Sequence, residues 1–108
     1  MTLDKRLKEK IVHRIVAAEK PLKIILFGSC AYGKPTEHSD LDLLIVKNHF
    51  NSSIEEKRKI RKALKDIDMP KDILVVKKED YDFYSTSEDW INSICSAAEK
   101  RGELLYEL

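Results

Sequence analysis

Ile24-Ile25-Leu26-Phe27-Gly28-Ser29 and, ten residues later, Asp40-Leu41-Asp42-Leu43-Leu44-Ile45-Val46 are the two stretches whose spacing decides this chain's fold and chemistry. Each is an apolar run of strand length; the first stops at a glycine and the second opens on two acids. Residues i and i+2 of a strand share a face, so Asp40 and Asp42 project together, roughly 6–7 Å apart along the backbone. Two anions on one face are unfavourable unless a cation lies between them, and a divalent metal is the simplest such cation. A metal facing a Gly-Ser turn points to phosphate chemistry. With no side chain at Gly28 the backbone can approach phosphate oxygens, and the Ser29 hydroxyl adds a donor. The turn is not a P-loop, because no Gly-Lys-Ser/Thr ending follows it.

Outward from this pair the chain alternates helices and strands. Leu3, Leu7, Ile11 and Ile15, widened by Val12 and Val16, predict an amphipathic helix from an N-cap near Thr2 to a stop at Pro21. Leu22–Phe27 reads as a buried strand, Ser29–Tyr32 as a short helical turn, and Leu41–Val46 as a strand apolar on both faces beyond its acids. A helix follows from an N-cap at Ser53 to Ile67, with Ile60, Leu64 and Ile67 as its apolar line. Its acids come early and its bases late, matching the helix dipole. Asp72–Val76 is the third strand, and a last helix is expected over Asp89–Lys100 with Gly102 as its stop. The pattern predicts a single α/β domain over residues 1–108 with few strands.

Composition sets outer limits. Apolar residues are 43% and charged residues 36% of 108, which suits a solvated globule with one core. A net charge of +1 argues against direct nucleic-acid binding by charge alone. No run approaches the roughly 20 apolar residues of a membrane span. Met1–Arg6 mixes acid and base with no apolar segment behind it, so no signal peptide is expected. Cys30 and Cys95 have no metal-ligand spacing and read as reduced thiols, predicting a cytoplasmic protein.

Asp72 stands at the start of its strand much as Asp40 and Asp42 do. If the two strands are parallel neighbours, three carboxylates converge at one sheet edge. Such a set suits one or two Mg²⁺ ions bound through oxygen, with Asp72 also able to accept the proton of an attacking hydroxyl.

Gly28-Ser29, ten residues, Asp40-Leu41-Asp42 and a later strand aspartate resemble the signature of the polymerase-β-like nucleotidyltransferase superfamily. The fuller strings Gly28-Ser29-Cys30-Ala31-Tyr32-Gly33 and Ser39–Val46, with the ending Glu99–Glu107, resemble its minimal, single-domain branch. The resemblance implies a small mixed sheet flanked by helices, Mg²⁺, and transfer of a nucleoside monophosphate, AMP from ATP. It places metal on Asp40, Asp42 and Asp72 and the triphosphate on Gly28 and Ser29. It further implies an antitoxin that modifies a tyrosine of a HEPN-domain ribonuclease toxin. Cys30 stands where relatives often carry arginine.

Three other readings remain open at this level. The chain can be a non-catalytic antitoxin acting by occlusion, or a small-molecule or RNA nucleotidyltransferase completed by a partner subunit; homo-oligomers are compatible with either. Taken alone, without the Gly-Ser turn and Asp72, the acids read as solvated strand starts. The bases of residues 57–65 read as a solvated helix face or a contact for RNA or an acidic partner. Tyr81, Phe83, Tyr84 and Trp90 read as local core, with a partner-binding surface as the alternative; His13, His38 and His49 are scattered, and His38 reads as a loop residue.

Overall fold

A computed structural model describes residues 5–27, 40–86 and 102–108. The chain runs α1 (Lys5–Glu19), β1 (Lys23–Phe27), β2 (Leu41–Lys47), α2 (Ser53–Ala63), β3 (Lys71–Lys77), α3 (Lys78–Thr86) and β4 (Glu103–Glu107). The strands form one mixed sheet in the order β3-β2-β1-β4. β1 is antiparallel to both β2 and β4, whereas β2 and β3 are parallel. This is the α+β arrangement expected of a polymerase-β-like nucleotidyltransferase.

The two-residue period of the strands sorts the core into two layers. On one face Ile24, Leu26, Leu41, Leu43, Ile45, Ile73 and Val75 pack against Ile11 and Ile15 of α1 and Ile60, Leu64 and Ile67 at α2. On the other, Ile25, Leu44 and Val46 pack against Tyr81 of α3, with Phe27, Leu74 and Val76 at the margin. β2 is central and buried on both sides from Leu43 to Val46, as its unbroken apolar run requires.

Helix ends show how local chemistry tunes this frame. α1 closes at Lys20, which takes a left-handed φ of 48° while its N–H donates to Val16 O at 3.1 Å, and Pro21 prevents continuation. The cap of α2 is Ser52, not Ser53: the Glu55 N–H donates to Ser52 Oγ at 3.3 Å. The helix stops at Ala63 instead of reaching Ile67. Its carbonyls are taken up by tight bonds, Leu64 N–H to Arg61 O and Ile67 N–H to Leu64 O, and these turns still bury Leu64 and Ile67.

Two elements were not expected from the sequence. α3 starts directly after β3, and Tyr81 is the large side chain it buries among those described. β4 is five residues long and only half-buried, too short for its period to separate strand from helix. The turn expected at Ser29–Tyr32 and the helix expected over Asp89–Lys100 lie outside the described residues. Among the described residues no helix is long and apolar enough to cross a membrane.

Candidate active site

The parallel pairing of β2 with β3 sets the geometry. Its register places Asp42 opposite Asp72 and Leu41 opposite Lys71. The Leu41 N–H donates to Pro70 O at 2.8 Å, tying the two strand starts together. Side chains opposite one another in register share a face, so the Asp42 and Asp72 carboxylates stand side by side. Asp40 immediately precedes β2, and its charge acts on Asp42.

β1 arrives at this edge from the opposite direction. Its last residue, Phe27, is the ladder partner of Asp42. The chain therefore leaves β1 beside Asp42, and Gly28 is the next residue in sequence. Gly28 and Ser29 themselves lie outside the described residues. Asp42 and Asp72 alternate with the residues packed on α1 and α2 and so lie on the sheet face that carries Tyr81.

Electrostatics identify Asp42 as the centre of the group. It is half-buried, while Asp40 and Asp72 are exposed. Burial raises its carboxyl above the usual aspartate range, and the charges of Asp72 and then Asp40 raise it further. No lysine or arginine pairs with Asp42 or Asp72 among the described residues. These residues do not close into a ready cage of three or more ligating side chains. What the register supplies is an edge of hard oxygen donors whose mutual repulsion a divalent cation would relieve, a donor set suited to Mg²⁺.

The opposite end of β2 holds a cluster that sequence reading missed. Lys47 Nζ donates to Glu19 Oε2 at 2.8 Å and Glu56 Oε2 at 2.9 Å, with both glutamates buried. Burial and contact with Glu56 raise the Glu19 carboxyl. Contact with Glu19 lowers Glu56, whose hydrogen bond to Lys47 adds to the effect. Burial alone would pull the lysine down, but its two carboxylate partners outweigh that and hold it charged. These partners come from α1, β2 and α2, so no sequence spacing announces them.

The aromatic residues divide. Tyr81 is core, with Lys23 Nζ 5.0 Å from its ring centroid, whereas Phe83 is exposed. The Tyr84 side chain and Trp90 lie outside the described residues. His13 and His49 are exposed; His38 also lies outside the described residues.

A mixed sheet with paired acids at the start of two parallel strands is compatible with nucleotidyl transfer, and comparison with known families supplies the class. The family model described as nucleotidyltransferase domain matches residues 5–104, and the chain belongs to that family. The resemblance to minimal nucleotidyltransferases is thereby borne out. A solved structure described as a toxin-antitoxin with AMP-PNP superposes with a TM-score of 0.69. The match covers 94% of this chain and 73% of that one at 19% identity, a likeness of fold. A comparison with curated proteins finds no significant match.

Proposed function

We propose that this chain is a Mg²⁺-dependent adenylyltransferase acting on a protein hydroxyl, a tyrosine of a HEPN-type ribonuclease toxin, and so serves as a cytoplasmic antitoxin. The observation that carries the reading is the register pairing of Asp42 with Asp72 beside the end of β1. Membership of the nucleotidyltransferase family supports the reaction class. The toxin-antitoxin neighbour, which holds an ATP analogue, supports the choice of donor and partner.

Asp40, Asp42 and Asp72 would hold the metal, and Gly28 and Ser29 the triphosphate. When bound, Mg²⁺ supplies charge neutralisation for the phosphates and for departing pyrophosphate. The acceptor oxygen attacks the α-phosphorus; the bond to the β-phosphate oxygen breaks, and pyrophosphate leaves. Asp72, exposed at the edge of the set, accepts the hydroxyl proton. In this reading the chain works as one minimal domain, and its acceptor arrives on another polypeptide.

The test is incubation with α-labelled ATP, Mg²⁺ and the toxin encoded beside this gene. Label transferred to a toxin tyrosine, and lost in Asp40→Ala/Asp42→Ala, is the expected result. Full neutralisation of the toxin by that double variant would instead assign a stoichiometric, non-catalytic antitoxin. Transfer to small acceptors or RNA ends in place of toxin would assign another substrate class.

A further inference from the structure

The net charge of +1 conceals a strong separation of sign. α1 contains five bases and two acids; Ser53–Asp66, comprising α2 and the turn after it, contains six bases and three acids. The two-helix layer therefore has a formal charge of +6, leaving −5 for the rest of the chain. The layer covers the sheet face opposite the aspartates.

Within it, several α1 cations are engaged. Lys8 pairs with Glu103, and Lys10 and Arg14 both pair with Asp66. On α2 the pattern differs. Every exposed residue from 57 to 65 is a cation: Arg58, Lys59, Arg61, Lys62 and Lys65. None of the five forms an ion pair among the described residues. Arg58 and Lys62 form one i,i+4 row, and half-buried Lys57 begins a second that runs through Arg61 to Lys65.

We propose that this outer face of α2 binds a nucleic-acid phosphate backbone. Each step along a row advances about 6 Å, the same order as the separation of successive phosphates in a strand. Like charges crowded on one helix are unfavourable by themselves and are relieved by a polyanion, with release of its counterions. Protein interfaces centre on apolar and aromatic side chains, and none is exposed between residues 57 and 65; the exposed Ile54 lies a turn earlier. The apolar side of α2 is committed to the core, which excludes insertion into a lipid surface.

The experiment is fluorescence anisotropy of a labelled 20-nucleotide oligouridine titrated with the full chain, without nucleotide, at 50 to 200 mM KCl. At the low-salt end, binding of about 10⁻⁵ M or tighter is expected, falling with a log–log salt slope of about −3 for four to five neutralised phosphates. Arg58→Glu/Arg61→Glu/Lys62→Glu should weaken binding at least about tenfold and reduce the slope by about 2. Arg61→Gln/Lys62→Gln, a milder surface change, should weaken binding about threefold and lower the slope by about 1, keeping the test valid if the triple variant misfolds. An equal loss with oligothymidine extends the assignment to single-stranded DNA. No binding at 50 mM salt, binding untouched by the variants, or displacement of the RNA by equimolar polyglutamate would overturn the proposal. The reading does not depend on the transferase assignment, since the aspartates lie across the sheet.

Discussion

The two ends of β2 hold the same kind of charge in opposite circumstances. At its start Asp42 stands beside Asp72 with no cation from the described residues. At its end Glu19 and Glu56 are buried more deeply, but Lys47 lies between them with hydrogen bonds below 3 Å to both. Burial raises Asp42 and Glu19 alike, yet among the described residues it is the glutamate cluster that has a counterion. The difference separates architecture from chemistry. A cluster that carries its own cation holds helices to a sheet, whereas carboxylates without one among the described residues are placed to take up a cation from solution.

The contrast can be broken from either end. Asp40→Ala/Asp42→Ala should lower the rate of the proposed AMP transfer by about 10³-fold or more, because several kcal/mol of charge stabilisation are lost. Its melting temperature should equal or exceed that of the parent, since repulsion is removed; a clear fall would make the acids structural. At the other end, Lys47→Met leaves two buried carboxylates without a cation and should cost about 3–5 kcal/mol in urea unfolding. Adding Glu19→Gln and Glu56→Gln to it should recover much of that loss.

Cation binding sharpens the same comparison. Mg²⁺ should raise the stability of the parent by up to about 2.7 kcal/mol at a hundredfold excess over its Kd, and of Asp42→Asn by much less. Lys47→Met should retain the full increment relative to its own metal-free state, which thermal melts in EDTA and Mg²⁺ will show.

The smallest effects are in pH. Asp42 has a raised folded-state pKa, so its contribution is full below the ordinary 3.8 and disappears as pH rises through the folded value. Asp42→Asn should remove that decline from metal-free denaturation midpoints. Asp66 behaves oppositely. Hydrogen bonds from Arg14, then Lys10, hold it at about 2 against an ordinary 3.8, so its contribution is present above 3.8 and lost as pH falls toward 2. Asp66→Asn should flatten that acid limb slightly, an exposed pair being worth little.

Much of the acid edge is legible in one dimension. The Ile24–Phe27 and Leu41–Val46 runs lie within strands, and the acids stand where the sequence puts them, Asp42 inside β2 and Asp40 just before it. Asp72 is legible only conditionally, since its role depends on β3 lying parallel to β2, which the register confirms. The net charge was a poorer guide, because a sum of +1 averages a basic helical layer with an acidic remainder. Ser52 displaced Ser53 as the cap of α2 for a local reason. Neighbouring serines compete for the same role, and only the hydrogen bond to Glu55 N–H distinguishes them.

Short-range periodicity sufficed for the apolar strands, α1, most of α2 and the position of the first two acids, because those features depend on neighbours within a few residues. Pairing across the chain was needed for the rest. β4 becomes a strand by docking on β1, Tyr81 becomes core by covering the second sheet face, and Lys47 meets Glu19 across 28 residues and Glu56 across nine. Such contacts form between segments whose separation in sequence carries no period, so folding alone reveals them.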